Sequence, residues 1–208
     1  MTAADGPASP SVQPRTVVDG LEVKSLEIPE IKLFRADRRE DRRGYVVPTY
    51  NKAFFASLGI HTDFVHENHC FSPRRGTLRG FHYQLPPYGQ AKLIRITRGR
   101  LLDVNVDLRR GSPTFGRHVK AELTPEGWSQ ILVPVGFAHC YGTLEDDTEV
   151  IFKLGSQFAP HHAVGLAWND PDLGIQWPIS PGEAIVLERD MKRPRFSELT
   201  QFFPYPAE

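Results

Sequence analysis

Cysteine is scarce: the 208-residue chain holds two, Cys70 and Cys140. Their spacing fits no paired-cysteine metal motif, and two thiols cannot staple a domain of this size. A disulfide scaffold and a cysteine zinc site are both excluded. No run approaches the ~18 consecutive apolar residues of a membrane-spanning helix. No charged start followed by an apolar stretch suggests a secretory signal. Net charge is also missing, with 25 Lys plus Arg against 25 Asp plus Glu. That balance excludes a nucleic-acid binder working through a basic surface and a polybasic membrane anchor. No glycine-rich phosphate loop of the Walker or Rossmann type occurs. These absences describe a soluble, cytoplasmic protein with two free thiols.

Turn-forming residues and apolar residues are plentiful. There are 18 Pro and 17 Gly, and 40% of residues are apolar. The composition favours many turns and an all-β architecture with a real core. Residues 1–17, rich in Ala, Pro, Ser and Gly, read as a disordered tail. No later linker is visible, so residues 18–208 form one domain. Strand-like runs recur at 44–50, 63–71, 77–85, 91–98, 101–108, 117–123, 129–135, 138–144, 148–154 and 163–168. In "LLDVNVDL" the alternation is clean: Leu102, Val104, Val106 and Leu108 share one face, Asp103, Asn105 and Asp107 the other. Period-two runs separated by turns predict a β-sandwich or barrel. One short helix is predicted at 51–58, closed by Gly59.

His82 sits mid-strand in "TLRGFHYQL". Alternation places Leu78, Gly80, His82 and Gln84 on one face and Arg79, Phe81 and Tyr83 on the other. A ring that can ionise is costly inside an apolar strand unless it is hydrogen-bonded. His139, in "VPVGFAHC", stands at a second apolar strand, and the pair suggests an internal pocket. Two histidines alone do not make a metal site, because three or four protein ligands are usual. The position two residues after His82 is Gln84, and no carboxylate follows within ten residues. No metal is therefore expected. Neutral imidazole suits proton abstraction near pH 7 if a carboxylate orients it. Asp103, Asp107, Asp170 and Asp190 are all candidates for that carboxylate. Arg79, Lys92, Arg95 and Arg98 supply positive charge on the same or the next strand. They could hold a diphosphate or a developing enolate.

The strings "LRGFHYQ", "QAKLIR", "LLDVNVDLRRGSPTFGR", "VPVGFAHC", "WNDPDLGIQWP" and "LERD" resemble the dTDP-4-dehydrorhamnose 3,5-epimerase family, from about Leu26 to Arg195. The resemblance implies a metal-free cupin, an all-β jelly roll that needs no cofactor. It implies a homodimer that exchanges N-terminal strands, with Val23 to Phe34 pairing across the interface. It implies a dTDP-linked 4-keto-6-deoxy sugar as substrate, epimerised beside the C4 ketone. His82 would be the general base, Asp190 its partner and Lys92 the stabiliser of the enolate oxygen. Arg43, Asn68, Arg79, Gln84 and His139 would contact substrate, and Phe158 would stack on the thymine. Three positions depart from the family. Phe152 stands where the family has its acidic Tyr, Gln157 and Phe158 where it has paired tyrosines, and Pro48 where it has a Glu. Four outcomes follow: Tyr141 replaces the lost acid, one of two epimerisations is lost, the nucleotide sugar is different, or the chain binds without turnover.

Overall fold

The protein is described by a computed structural model covering residues 16–18, 21–36 and 38–205. The expected tail up to residue 15 lies outside these residues, whereas Thr16–Val18 form a strand. In chain order the first elements are β1 (Thr16–Val18), β2 (Leu21–Ser25), β3 (Lys32–Ala36), β4 (Arg39–Asp41), β5 (Gly44–Val46), α1 (Lys52–Ser57) and β6 (His66–Ser72). Then come β7 (Leu78–Gln84), β8 (Lys92–Arg98), β9 (Leu101–Asp107), β10 (Arg109–Arg110), β11 (His118–Leu123) and β12 (Gln130–Val133). The last are β13 (Phe137–Thr143), β14 (Thr148–Leu154), β15 (Ala163–Gly165), α2 (Glu188–Met191) and β16 (Phe203–Pro204). A seven-stranded sheet runs β1-β2-β3-β12-β8-β14-β6, and a five-stranded sheet runs β11-β9-β13-β7-β15. Within both sheets every pairing is antiparallel. The result is the all-β jelly roll that the sequence predicts.

The two sheets face each other across a core of Ile94, Ile96, Leu101, Leu123, Ile131, Phe137 and Val150. The outer face of the large sheet packs Phe34, Leu93 and Leu132 under the α1 residues Phe54 and Phe55. The predicted helix is there: Asn51 Oδ1 accepts from the Phe54 amide at 3.1 Å, and Gly59 follows the helix at φ +76°. The outer face of the small sheet is also covered. Val104, Val106 and Leu108 pack there against Leu166, Trp168, Leu173, Ile179 and Phe203 from the C-terminal segment. This explains β9. Its apolar residues face outward into the C-terminal cover, while Asp103, Asn105 and Asp107 point between the sheets, all fully buried.

β2 and β3 pair with each other, and β3 pairs with β12 of the same chain. The strands from Val23 to Phe34 are thus tied to the large sheet of their own chain.

One irregularity sets the geometry of the interior. β13 pairs with β7 as His139↔His82 and Tyr141↔Arg79, so three residue steps on β7 oppose two on β13. Strict alternation fails here, and Arg79 and His82 both reach the cavity. The extra residue needs backbone contact that only glycine allows. Gly80 has φ +136°, and a Cβ there would lie 2.5 Å from the His139 carbonyl oxygen and 2.6 Å from Cys140 Cα. Gly80→Ala is expected to cost at least about 2 kcal/mol of stability, through the unfavourable φ and overpacking together. Urea denaturation of the variant measures it; an unchanged midpoint would mean that β7 and β13 are further apart than described.

Candidate active site

The jelly roll is packed at one end and open at the other, where a cavity of about 630 Å³ lies between the sheets. Strands β6, β13 and β14 contribute alternate residues, while the bulged β7 does not. β6 supplies His66, Asn68 and Cys70, and β8 supplies Lys92. β13 gives His139 and Tyr141, and β14 gives Phe152 and Leu154. Arg79, His82 and Gln84 come from β7, and Asp190 from α2.

Asp190 lies 108 residues beyond His82 and reaches it because the C-terminal segment is clipped to β7. The Leu78 amide donates to the Ile185 carbonyl, and the Ile185 amide to the Gly76 carbonyl, both at 2.9 Å. The chain then turns into α2 and aims the buried Asp190 carboxylate inward. His82 Nε2 lies 3.0 Å from Asp190 Oδ1. The other ring nitrogen is thus left to take a proton.

The remaining candidate carboxylates have other work. Asp103 Oδ2 lies 2.7 Å from His139 Nε2, which makes a second buried histidine–carboxylate pair. Its Oδ1 accepts from Asn105 at 2.7 Å. Asp107 is saturated by Arg109, Ser112 and Thr114 at 2.6–2.9 Å. Asp170 caps the turn at Asp172 and accepts from the Phe196 amide.

Burial pushes the His82 imidazole below its ordinary 6.5; Asp190 pulls it back up, while Lys92 and Arg189 push it down. The ring is therefore neutral at pH 7. Lys92 Nζ donates to the His82 carbonyl at 3.1 Å. Burial lowers this ammonium from 10.5 to about 8, with Asp103 opposing the shift. It stays protonated at pH 7. Across the cavity, the Tyr141 hydroxyl is buried, with the Ser72 hydroxyl beside it but no hydrogen bond of normal geometry. Burial raises that phenol, and the Arg79 charge and the Ser72 hydroxyl pull it back only in part. Its ring packs on Phe152 at 5.8 Å between centroids, and Phe152 in turn stands edge-on to His139 at 6.1 Å.

Arg79 is held by the Ser72 hydroxyl and the Phe71 carbonyl. Asn68 accepts from His66 Nε2 at 2.9 Å, and His66 also meets Gln157. Phe158 stands at the rim, 62% exposed. Gln84 lines the cavity, but its amide donates to the Tyr88 and Gln157 carbonyls and accepts from the Ala159 amide. It fastens the 156–159 loop instead of offering free groups to a ligand. Arg43 lies outside the cavity lining, on the β4–β5 turn, where it pairs with Asp41 in solvent. Of the expected positive cluster, only Arg79 and Lys92 face inward; Arg98 pairs with Asp147 at the surface. The His139–Asp103 pair escaped sequence reasoning, although a polar face on β9 beside a strand carrying a histidine was its signal. Among the described residues no group of three or more His, Cys, Asp or Glu is placed to hold a metal ion.

A family model described as dTDP-4-dehydrorhamnose 3,5-epimerase matches residues 25–198. The chain is 40% identical to the Sinorhizobium fredii protein of that name over 190 residues, 91% of this chain and 97% of the other. Its fold resembles that of dTDP-6-deoxy-D-glucose-3,5-epimerase from Legionella pneumophila, solved with dTDP-4-keto-L-rhamnose. The TM-score is 0.85 at 29% identity, covering 90% of this chain and 100% of that one. It also resembles the Bacillus anthracis dTDP-4-dehydrorhamnose 3,5-epimerase solved with TDP and PPi. There the TM-score is 0.81 at 36% identity, covering 85% of this chain and 99% of that one.

Lys92 has a measurable effect on stability. Unfolded, it keeps its proton up to about 10.5; folded, only to about 8. Between those values the unfolded state binds more protons, so stability rises with pH. Below that window the buried charge costs up to about 3 kcal/mol. Lys92→Met is expected to be the more stable protein at pH 7, with the difference closing by pH 10. Urea denaturation across that range checks it; parallel pH profiles would place the ammonium in water.

Proposed function

The chain belongs to the dTDP-4-dehydrorhamnose 3,5-epimerase family, and on that premise we propose how its cavity divides the work. The protein is a sugar-nucleotide epimerase, acting beside the C4 ketone of a dTDP-linked 4-keto-6-deoxy sugar. The ketone acidifies the hydrogens on C3 and C5. His82 takes one of these protons as general base while Asp190 holds the ring and balances the imidazolium. The electron pair moves onto the C4 oxygen, where the Lys92 ammonium stabilises the enolate in a site shielded from water. A second proton, from an acid on the other side of the cavity, is then delivered to the opposite face of the carbon, and the proton held by His82 is lost to solvent. The observation that carries this reading is the 3.0 Å His82–Asp190 contact in a cavity that also presents Lys92.

Phe152 has no proton to give. We assign the delivered proton to Tyr141, whose buried hydroxyl lines the cavity beside the Ser72 hydroxyl. Arg79, Asn68 and His139 line the space for the sugar and diphosphate, and the exposed Phe158 ring suits stacking on the thymine. Gln84 supports that ring by holding its loop. Arg43 can serve a cavity only on another chain. The β4–β5 hairpin that carries it also exposes Tyr45 and Val46, at 51% and 72%. We therefore read the working form as a homodimer in which this hairpin meets the partner. Two free thiols suit a reducing compartment, and we place the protein in the cytoplasm.

Incubation with dTDP-4-keto-6-deoxyglucose in heavy water tests the scheme. The protein is expected to incorporate deuterium at C3, or at C3 and C5, with inversion. His82→Ala should lose at least about 100-fold in rate while still binding the nucleotide. Tyr141→Phe should retain exchange but lose inversion by about 100-fold, and adding Phe152→Tyr to it should restore inversion. Tight binding without label in the wild-type protein would make the chain a non-catalytic binder. Full inversion by Tyr141→Phe would remove Tyr141 from the scheme.

A further inference from the structure

Asp190 is addressed by more than its histidine. Arg193 Nε lies 3.6 Å from Asp190 Oδ1, the oxygen that meets His82, and Arg189 Nε lies 3.5 Å from it. The two guanidinium groups differ. Arg189 is 65% exposed and Arg193 only 24%. Arg193 Nε is buried and makes no hydrogen bond. Its shaft crosses β15 at Gly165, the residue paired with His82. A Cβ on Gly165 would lie 3.1 Å from Arg193 Nε and 2.2 Å from the Phe81 carbonyl oxygen. The chain thus makes room at the level of His82 for a cation that forms no hydrogen bond through its Nε and lies within ion-pair range of the dyad carboxylate.

We propose that Arg193 is a positioning residue that acts through Asp190, its charge opposing protonation of the His82 ring so that His82 rests as a base. The proposal rests on His82 being the base, as read above. Leaving a buried donor without a hydrogen bond costs stability, so a purely structural arginine would satisfy it. A nearby cation lowers the proton affinity of a histidine–carboxylate pair, and a low-dielectric surround strengthens the effect. The other groups facing the pair are Arg189, on the solvent side, and Lys92, behind His82. Cys140 faces Asp190, and Tyr83 faces Arg193. Burial raises both of these protonated groups, so neither carries charge near neutral pH. Arg193 is therefore the least solvent-screened of the two arginines acting on the carboxylate.

The test uses Arg193→Met and Arg193→Gln, which keep much of the shaft, and Arg193→Lys, which keeps the charge. The His82 imidazole is titrated by NMR in the ligand-free protein, its signal identified by loss in His82→Gln. The two neutral variants are expected to titrate about one unit higher than wild type, and Arg193→Lys close to wild type. The acidic limb of kcat/KM should move with the titration. At pH 5.5 the neutral variants should lose about tenfold, with KM unchanged and the high-pH plateau kept. An unmoved midpoint overturns the proposal, as does Arg193→Lys behaving like Arg193→Met. A raised KM with an unmoved limb overturns it too and makes Arg193 a substrate contact. A protein that titrates as expected but turns over no sugar would refute the epimerase reading and leave the coupling intact.

Discussion

The close approach of β7 and β13 at Gly80 governs the whole interior. A regular ladder would send Arg79 and His82 to opposite faces of the small sheet. The two-against-three register brings both into one cavity, opposite Tyr141 and beside His139. The glycine is required by the backbone, because a single methyl group there would meet the β13 main chain. The chemistry of the site thus begins in a main-chain contact and not in a side-chain one.

Polar groups between the sheets must then be satisfied. Asp103, Asn105, Asp107, Lys92, His139 and Asp190 are all buried. Nearly all meet charged or hydrogen-bonding partners, as buried charge requires. Asp103 connects several of them: it holds His139, accepts from Asn105 and favours the Lys92 charge. Three apolar clusters support this arrangement, one between the sheets and one on each outer face. The small sheet can turn a polar row inward because the C-terminal segment buries the apolar row on its outer side.

Local pattern made most strands and the α1 helix legible. Runs such as "KLIRIT" alternate in period, and Gly59 marks where the helix stops. The β9 alternation was readable too, but not its sense, since which row faces inward depends on a cover that arrives sixty or more residues later. Alternation misplaced Arg79 because a bulge breaks the period without changing composition. Physical reading left four aspartates open for His82. Only the resemblance singled out Asp190, because a contact across 108 residues leaves no local trace. Gln84 and Arg43 sit in surroundings that position alone does not give. One has its amide spent on a loop, and the other stands on a hairpin in solvent.

The His82–Asp190 contact also has a temporal side. All strands of both large sheets lie before residue 166, while the carboxylate sits on a four-residue helix near the end of the chain. During synthesis every strand of the two large sheets, with His82 on β7, emerges before Asp190. A nascent chain therefore holds the strands that line the cavity before it holds this carboxylate, and the pair is complete only once the segment carrying α2 docks. The same separation makes the closing segment an evolutionary dial: changes around α2 can retune the dyad while the strands that build the barrel stay as they are.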